Sequence, residues 1–268
     1  MMTFSRRQLL NWVGKASAGV AAICATKPVK AVVQSVRKTS APQGYDPFAH
    51  KWLMAIDVEK CIGCGLCVEA CKIENNVPQS AAYFRTWVER YTILKPEPGS
   101  GESYGETIVD SPNGGLNGFP PPTVPAEEIL RSFFVPKLCN LCVESPCVQS
   151  CPVGATFDSP DGAVLIDSDY CIGCGFCIQS CPYGCRFMNP ETQTAEKCSL
   201  CYHRITRGLQ PACVEVCPTQ SRIFGDLKNL PPTSPLKAFI DTKKTHVLKP
   251  HLGTEPRVLY SGIDKEVR

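Results

Sequence analysis

The chain has 268 residues, 43% of them hydrophobic, and a formal net charge of +3. That charge is unevenly placed: residues 1–45 hold seven Lys and Arg with no Asp or Glu, and the remainder holds 21 basic against 25 acidic residues. The mildly acidic remainder excludes a basic nucleic-acid surface, and 18 cysteines, about 7% of the chain, fall below the density of a disulfide scaffold.

Ser5-Arg6-Arg7-Gln8-Leu9-Leu10 stands ahead of a weakly apolar stretch from Leu9 to Ala25, interrupted by Gly14, Lys15 and Gly19. Basic residues before a short apolar region are the layout of a twin-arginine export signal, which we place at residues 1–31. The stretch is too short and too polar to read as a membrane span. Val29-Lys30-Ala31 is the best-fitting cleavage site, and Ile23 before Cys24 does not suit lipid attachment. Residues 32–50 read as a linker.

The main domain is expected over 51–230. Trp52 to Asp57 predicts a strand running into Cys61, Cys64, Cys67 and Cys71, in CIGCGLCVEAC. An insertion follows over 83–138. It holds a strand-like FRTWVERYTIL, a Gly/Pro-rich loop from Pro96 to Pro125, and a segment from Glu127 to Val135. A loop of that length is either functional, ordered by a partner, or a plain surface elaboration. The second group is Cys139, Cys142, Cys147 and Cys151; a predicted strand from Ala163 to Asp167 leads into the third, Cys171, Cys174, Cys177 and Cys181. In the fourth group, Cys198, Cys201, Cys213 and Cys217, eleven residues separate the second and third cysteines. Residues 231–268 read as a C-terminal extension without an apolar run long enough to cross a membrane.

Sixteen of the 18 cysteines thus fall into four groups of four. The first and third groups share seven of eleven residues, the mark of an internal repeat. Both are the C-x2-C-x2-C-x3-C run of two-cluster ferredoxins, in which the fourth thiolate serves the other cluster. Gly63, Gly65, Gly173 and Gly175 stand where a Cβ would crowd the cluster or forbid the turn. After the third cysteine a helix is expected to carry Cys71 or Cys181 toward a second cluster. Pro152, Pro182 and Pro218 follow fourth cysteines and bend the chain away, whereas Lys72 follows Cys71. Disulfides within such runs would be strained. Zinc favours paired C-x2-C with a long spacer, so the fourth group keeps zinc as a competing reading. Cys24 and Cys185 fit no run and are expected to be bystanders.

Beyond the cysteines, ENNVP, FRTW, CPYG, KCSLCYHRITRGLQPACVEVCPT and RIFGDL resemble the four-cluster electron-transfer (beta) subunit of the dimethyl-sulfoxide-reductase/polysulfide-reductase superfamily, over about residues 50–260. The resemblance implies crosswise ligation of four [4Fe–4S] clusters: Cys61, Cys64, Cys67 and Cys217; Cys71, Cys198, Cys201 and Cys213; Cys139, Cys142, Cys147 and Cys181; and Cys151, Cys171, Cys174 and Cys177. It implies an α+β fold of duplicated ferredoxin-like modules with pseudo-twofold symmetry. It also implies a non-catalytic wire between a molybdopterin catalytic subunit and a membrane quinone/quinol subunit. An equivalent subunit of a periplasmic hydrogenase or another quinone-linked complex, or a free multi-cluster ferredoxin, remains open. Export folded by the twin-arginine machinery, periplasmic residence and attachment through a partner complete the expectation. Lys60, Lys197 and His203 adjoin ligands and either tune them or pack ordinarily. His50, His203, His246 and His251 have no ligand spacing, no catalytic constellation stands out, and no nucleic-acid partner is expected.

Overall fold

The computed structural model describes residues 41–80, 82–263 and 267. The twin-arginine segment, Cys24 and most of the linker lie outside the described residues. In chain order the strands are β1 (Trp52–Asp57), β2 (Thr86–Leu94), β3 (Thr107–Asp110), β4 (Ile129–Leu138), β5 (Thr156–Asp158), β6 (Val164–Ile166), β7 (Arg186–Met188), β8 (Ala195–Lys197), β9 (Arg222–Asp226) and β10 (Val258–Ser261). The α-helices are α1 (Leu66–Glu74), α2 (Pro146–Gln149), α3 (Phe176–Gln179), α4 (Tyr202–Ile205), α5 (Ala212–Glu215) and α6 (Pro235–Thr242). Small sheets and one-turn helices joined by loops make a mixed α/β, ferredoxin-like architecture.

β1 is central, antiparallel to β9 and parallel to β10. All six of its residues are buried, because both faces are covered. Met54 and Ile56 belong to the large core that also holds many of the cysteines, and Leu53 and Ala55 pack with Ile223, Leu236 and Phe239 of β9 and α6. Residues 231–268 are therefore not an appendage, since they supply α6 and β10 to this sheet. The backbone entering β1 is clamped as well. The buried Asp161 carboxylate accepts from the hydroxyls of Tyr45 at 2.8 Å and Tyr202 at 2.9 Å, and from Trp52 Nε1 at 3.3 Å.

The insertion has structure of its own. β2 pairs antiparallel with both β3 and β4, and a glycine-rich turn at Pro112–Gly115 follows β3. Two short hairpins, β5–β6 and β7–β8, complete the strands. α1 packs on α5, and α2 packs on α3. Those helix pairs cross the chain segments that carry the fourth cysteines of the groups.

Candidate iron–sulfur sites

Gly65 has a φ of +80° and is followed directly by α1. Cys67 therefore lies in the first turn of that helix and Cys71 one turn further on, so the helix starts ahead of the third cysteine rather than after it. The third group repeats the arrangement, with Gly175 at φ +76° and Cys177 inside α3. The glycines also answer to their neighbours. A Cβ on Gly63 would lie 2.6 Å from the Phe134 ring, one on Gly65 2.3 Å from the Gly115 carbonyl oxygen, and one on Gly173 2.6 Å from the Gln193 carbonyl oxygen. Packing of the insertion and of the β7–β8 turn thus demands glycine on these loops, in addition to the positive φ.

Cys61, Cys64 and Cys67 line one cavity together with Cys217. Cys71 lines another with Cys198, Cys201 and Cys213. Burial first, and then Cys139, push the Cys142 thiol up to about 12, with Cys147 and Cys181 adding to it, so these four thiols are mutual neighbours. Cys151 follows α2, and Cys171 and Cys174 lead into α3, which holds Cys177 and packs against α2. There Ser150 Oγ and Ser180 Oγ share a hydrogen bond of 2.8 Å.

The fourth group splits between two cavities, Cys198, Cys201 and Cys213 in one and Cys217 in the other. Four-thiolate zinc needs every sulfur about 2.3 Å from a single ion. Among the described residues no three Cys, His, Asp or Glu converge in that way. Wider rings of four thiols suit a cubane, whose irons are separate points of attachment.

Electrostatics explain why these thiols need a cationic partner. Burial pushes Cys61 and Cys198 up to about 11 and Cys213 up to about 12. Free thiols there stay neutral, and iron binding must drive off their protons. Two thiols move the other way. Burial raises Cys217, but backbone amides of Arg222, Ser221 and Thr219 and the Thr219 hydroxyl more than offset it. Cys181 is held down to about 5, chiefly by hydrogen bonding with Cys185. Buried donors without a protein partner complete the fit: Nε and Nη1 of Arg222 and Nε of Arg186, both guanidinium groups lying among these thiols.

Several contacts around these sites carry no sequence signal of their own. Asn75 Nδ2 lies 3.6 Å from both Cys71 Sγ and Cys201 Sγ, and Arg85 Nη1 holds its Oδ1 at 3.1 Å. Lys72, where other groups have proline, is buried and donates to the carbonyls of Pro78, Ser80 and Tyr83 at 2.7, 3.1 and 2.7 Å. It lets α1 run on to Glu74 and organises the turn beyond. Cys185 is buried and its thiol points to the Leu138 carbonyl at 3.1 Å. Lys60 is half exposed, 3.9 Å from Asp57, and His203 Nε2 lies 2.6 Å from Glu74 Oε1. Of the three flanking side chains only Lys197 is buried.

Comparison with known proteins fits this donor chemistry. Residues 130–227 match the 4Fe-4S dicluster domain family, and residues 52–73 match a 4Fe-4S binding domain. One tetrathionate reductase subunit, from Salmonella typhimurium, is 38% identical over 265 residues, covering 98% of this chain and 90% of the relative. The chain belongs to the iron–sulfur subunit family of the molybdopterin oxidoreductases. The tetrathionate reductase subunit of the same kind from Archaeoglobus fulgidus is 43% identical over 80% of the chain and 83% of its own length. The arsenate respiratory reductase iron-sulfur subunit ArrB of a Shewanella species is 30% identical over 77% of the chain and 94% of its own length. As an iron–sulfur subunit, the chain binds [4Fe–4S] clusters and transfers electrons without catalysing the terminal reaction.

Proposed function

We propose that two ferredoxin-like modules related by duplication hold four [4Fe–4S] clusters on the sixteen cysteines, in the four sets 61/64/67/217, 71/198/201/213, 139/142/147/181 and 151/171/174/177. The clusters, when bound, supply one-electron carriers. The protein's own part is to place them in series. Cys67 of the first set acts on Cys213 of the second, and Cys139 of the third acts on Cys198 of the second. Cys147 and Cys139 of the third share Arg186 with Cys177 of the fourth. The sets therefore succeed one another as a line, first to fourth.

The observation that carries the reading is where that line meets solvent. Among the ligand cysteines only Cys64 and Cys174 are exposed, one in the first set and one in the last. Each lies beside exposed apolar side chains: Ile62 at 58% and Leu66 at 43%, and Ile172 at 65% and Phe176 at 54%. Apolar patches around both ends suit two protein partners. One is a molybdopterin catalytic subunit and the other an integral membrane quinone/quinol subunit. No described helix is long and apolar enough to cross a membrane. In this reading the membrane partner supplies the attachment. The Arg6-Arg7 leader places this complex in the periplasm by the folded-protein export route.

Purification from detergent-solubilised membranes tests the reading. A molybdopterin subunit and an integral subunit should copurify with a chain holding close to sixteen irons. A nickel-containing partner, a chain purified alone, or stoichiometric zinc with about twelve irons would overturn it.

A further inference from the structure

Arg186 and Arg222 each stand five residues after the last cysteine of a group, in CPYGCR and CPTQSR. The register repeats in space. Arg186 opens β7 and Arg222 opens β9, and they are 5% and 2% exposed. Each anchors one nitrogen on a threonine hydroxyl that opens another strand. Arg186 Nη1 donates to Thr156 Oγ1 at 3.2 Å, and Arg222 Nη2 donates to Thr86 Oγ1 at 2.7 Å.

The rest of each guanidinium faces thiols. Arg186 Nη2 donates to Cys147 Sγ at 3.0 Å, and its strongest partners are Cys147, Cys139 and Cys177. Arg222 lines the cavity of Cys61, Cys64, Cys67 and Cys217, its anchor Thr86 lines that of Cys71, Cys198, Cys201 and Cys213, and its Nε and Nη1 have no partner among the described residues. These thiols straddle sites. Cys61 and Cys67 are in the first set and Cys213 in the second, while Cys139 and Cys147 are in the third and Cys177 in the fourth. The middle gap has its own cation. Lys197 Nζ donates to the Cys198 carbonyl at 2.8 Å and also to the Val164 carbonyl. It adjoins Cys198 of the second set and stands directly opposite Arg186 across the β7–β8 pair, where Arg186 holds Cys147 of the third.

We propose that Arg222, Lys197 and Arg186 stand one in each gap between successive clusters and raise the reduction potentials of the two clusters on either side. A buried cation is costly unless an opposite charge faces it, and the groups that act most on the two arginines are ligand thiols rather than carboxylates. Anionic clusters supply that charge. A fixed positive charge stabilises the more negative, reduced form, and hydrogen bonds to sulfur act in the same direction. Arginine cannot lose its charge by deprotonation, so the bias is permanent. Because each cation is shared, it shifts the two neighbouring potentials in the same direction.

The inference rests on the ligand sets proposed above, and the test separates the two. Iron content and the number of paramagnetic clusters report the sets, whereas potentials report the cations. In the complete complex, potentiometric titration followed by electron paramagnetic resonance should show Arg222→Gln lowering the first and second clusters together, with the third and fourth unmoved. Arg186→Gln should lower the third and fourth, Lys197→Met the second and third, and Arg222→Lys should restore most of the loss. A full set of irons with unshifted potentials, or with all four clusters shifted alike, would overturn the proposal. A measurement on the unsubstituted complex guards against variants that fail to assemble. With arginine labelled in its guanidinium nitrogens, nitrogen couplings should appear on the reduced clusters, and their absence would equally overturn it.

Discussion

Cys181 and Cys185 are four residues apart, and their thiols interact, yet their surroundings separate their roles. Cys181 is drawn toward the thiolate form, first by Cys185 and further by the backbone amides of Cys185 and Tyr183, although burial works against it. Cys185 is pushed up, first by its hydrogen bond to Cys181 and then by burial. It also lies 3.1 Å from the Leu138 carbonyl oxygen. The Cys185 thiol also donates to the Tyr183 carbonyl at 3.5 Å, and giving up its proton to bind iron would forfeit both of these hydrogen bonds. Cys181→Ser should therefore lose or convert one cluster, a drop of up to about four irons of the sixteen expected for four cubanes. Cys185→Ala should keep all of them and cost about 1 kcal/mol, the ordinary worth of one hydrogen bond. Iron assay and thermal unfolding check both. Loss of a cluster in Cys185→Ala with a full complement in Cys181→Ser would reverse the assignment. The CPYG motif and the spacing mark Cys181 in the sequence. The sequence marks Lys72 as a departure from proline and Asn75 within ENNVP, but not their contacts, whose atoms only folding brings together.

At the scale of elements, the insertion is tied to the first cysteine loop. Gly115 and Gly118, from the turn after β3, approach that loop so closely that a Cβ on Gly65 would lie 2.3 Å from one backbone oxygen and 2.9 Å from a backbone nitrogen. Gly175, its counterpart in the repeat, has the same left-handed backbone, φ +76° against +80°, but nothing within 4 Å of the Cβ position. The pair isolates packing from conformation. Gly175→Ala should cost only the strain of a non-glycine residue there, about 1 kcal/mol. Gly65→Ala should add a backbone clash, cost more than about 2 kcal/mol and weaken the cluster on Cys61, Cys64, Cys67 and Cys217. Equal effects in denaturant unfolding and iron retention would remove the insertion from the argument. From Pro96 to Pro125 the sequence reads as a Gly/Pro-rich loop, in which Thr107-Ile108-Val109 is too short a β-branched run to stand out. β3 and the turn after it arise because β2 offers an edge for pairing, which no local pattern announces.

For the whole molecule, seventeen described cysteines are free and most are buried, several of them counted among the main core. Thiols whose burial keeps them neutral do not hold such an interior together. Chelation of iron under denaturing conditions followed by refolding should give a chain without a cooperative transition, with clusters and fold lost in one step. An apo chain that unfolds cooperatively at the temperature of the holoprotein would show the apolar core to be sufficient. The proposed export is a whole-molecule property too. Replacing Arg6 and Arg7 together by lysine keeps the charge and should leave cluster-loaded protein in the cytoplasm, as cell fractionation would reveal. Cysteine spacing, glycine register and the repeat were enough to determine the iron–sulfur chemistry and the strand at Trp52–Asp57, and they pointed to the helix that carries Cys71, whereas Cys181 comes after its one-turn helix. These depend on neighbours along the chain, where spacing and φ limit what can form. Tertiary structure alone decided the rest. It joined β10 to β1, placed α6 over Leu53 and Ala55, and split the fourth group between two cavities. It also set Arg222, Lys197 and Arg186 among thiols of adjacent sites. Each of those outcomes brings together residues far apart in the chain, and burial and charge settle them only once the chain has closed.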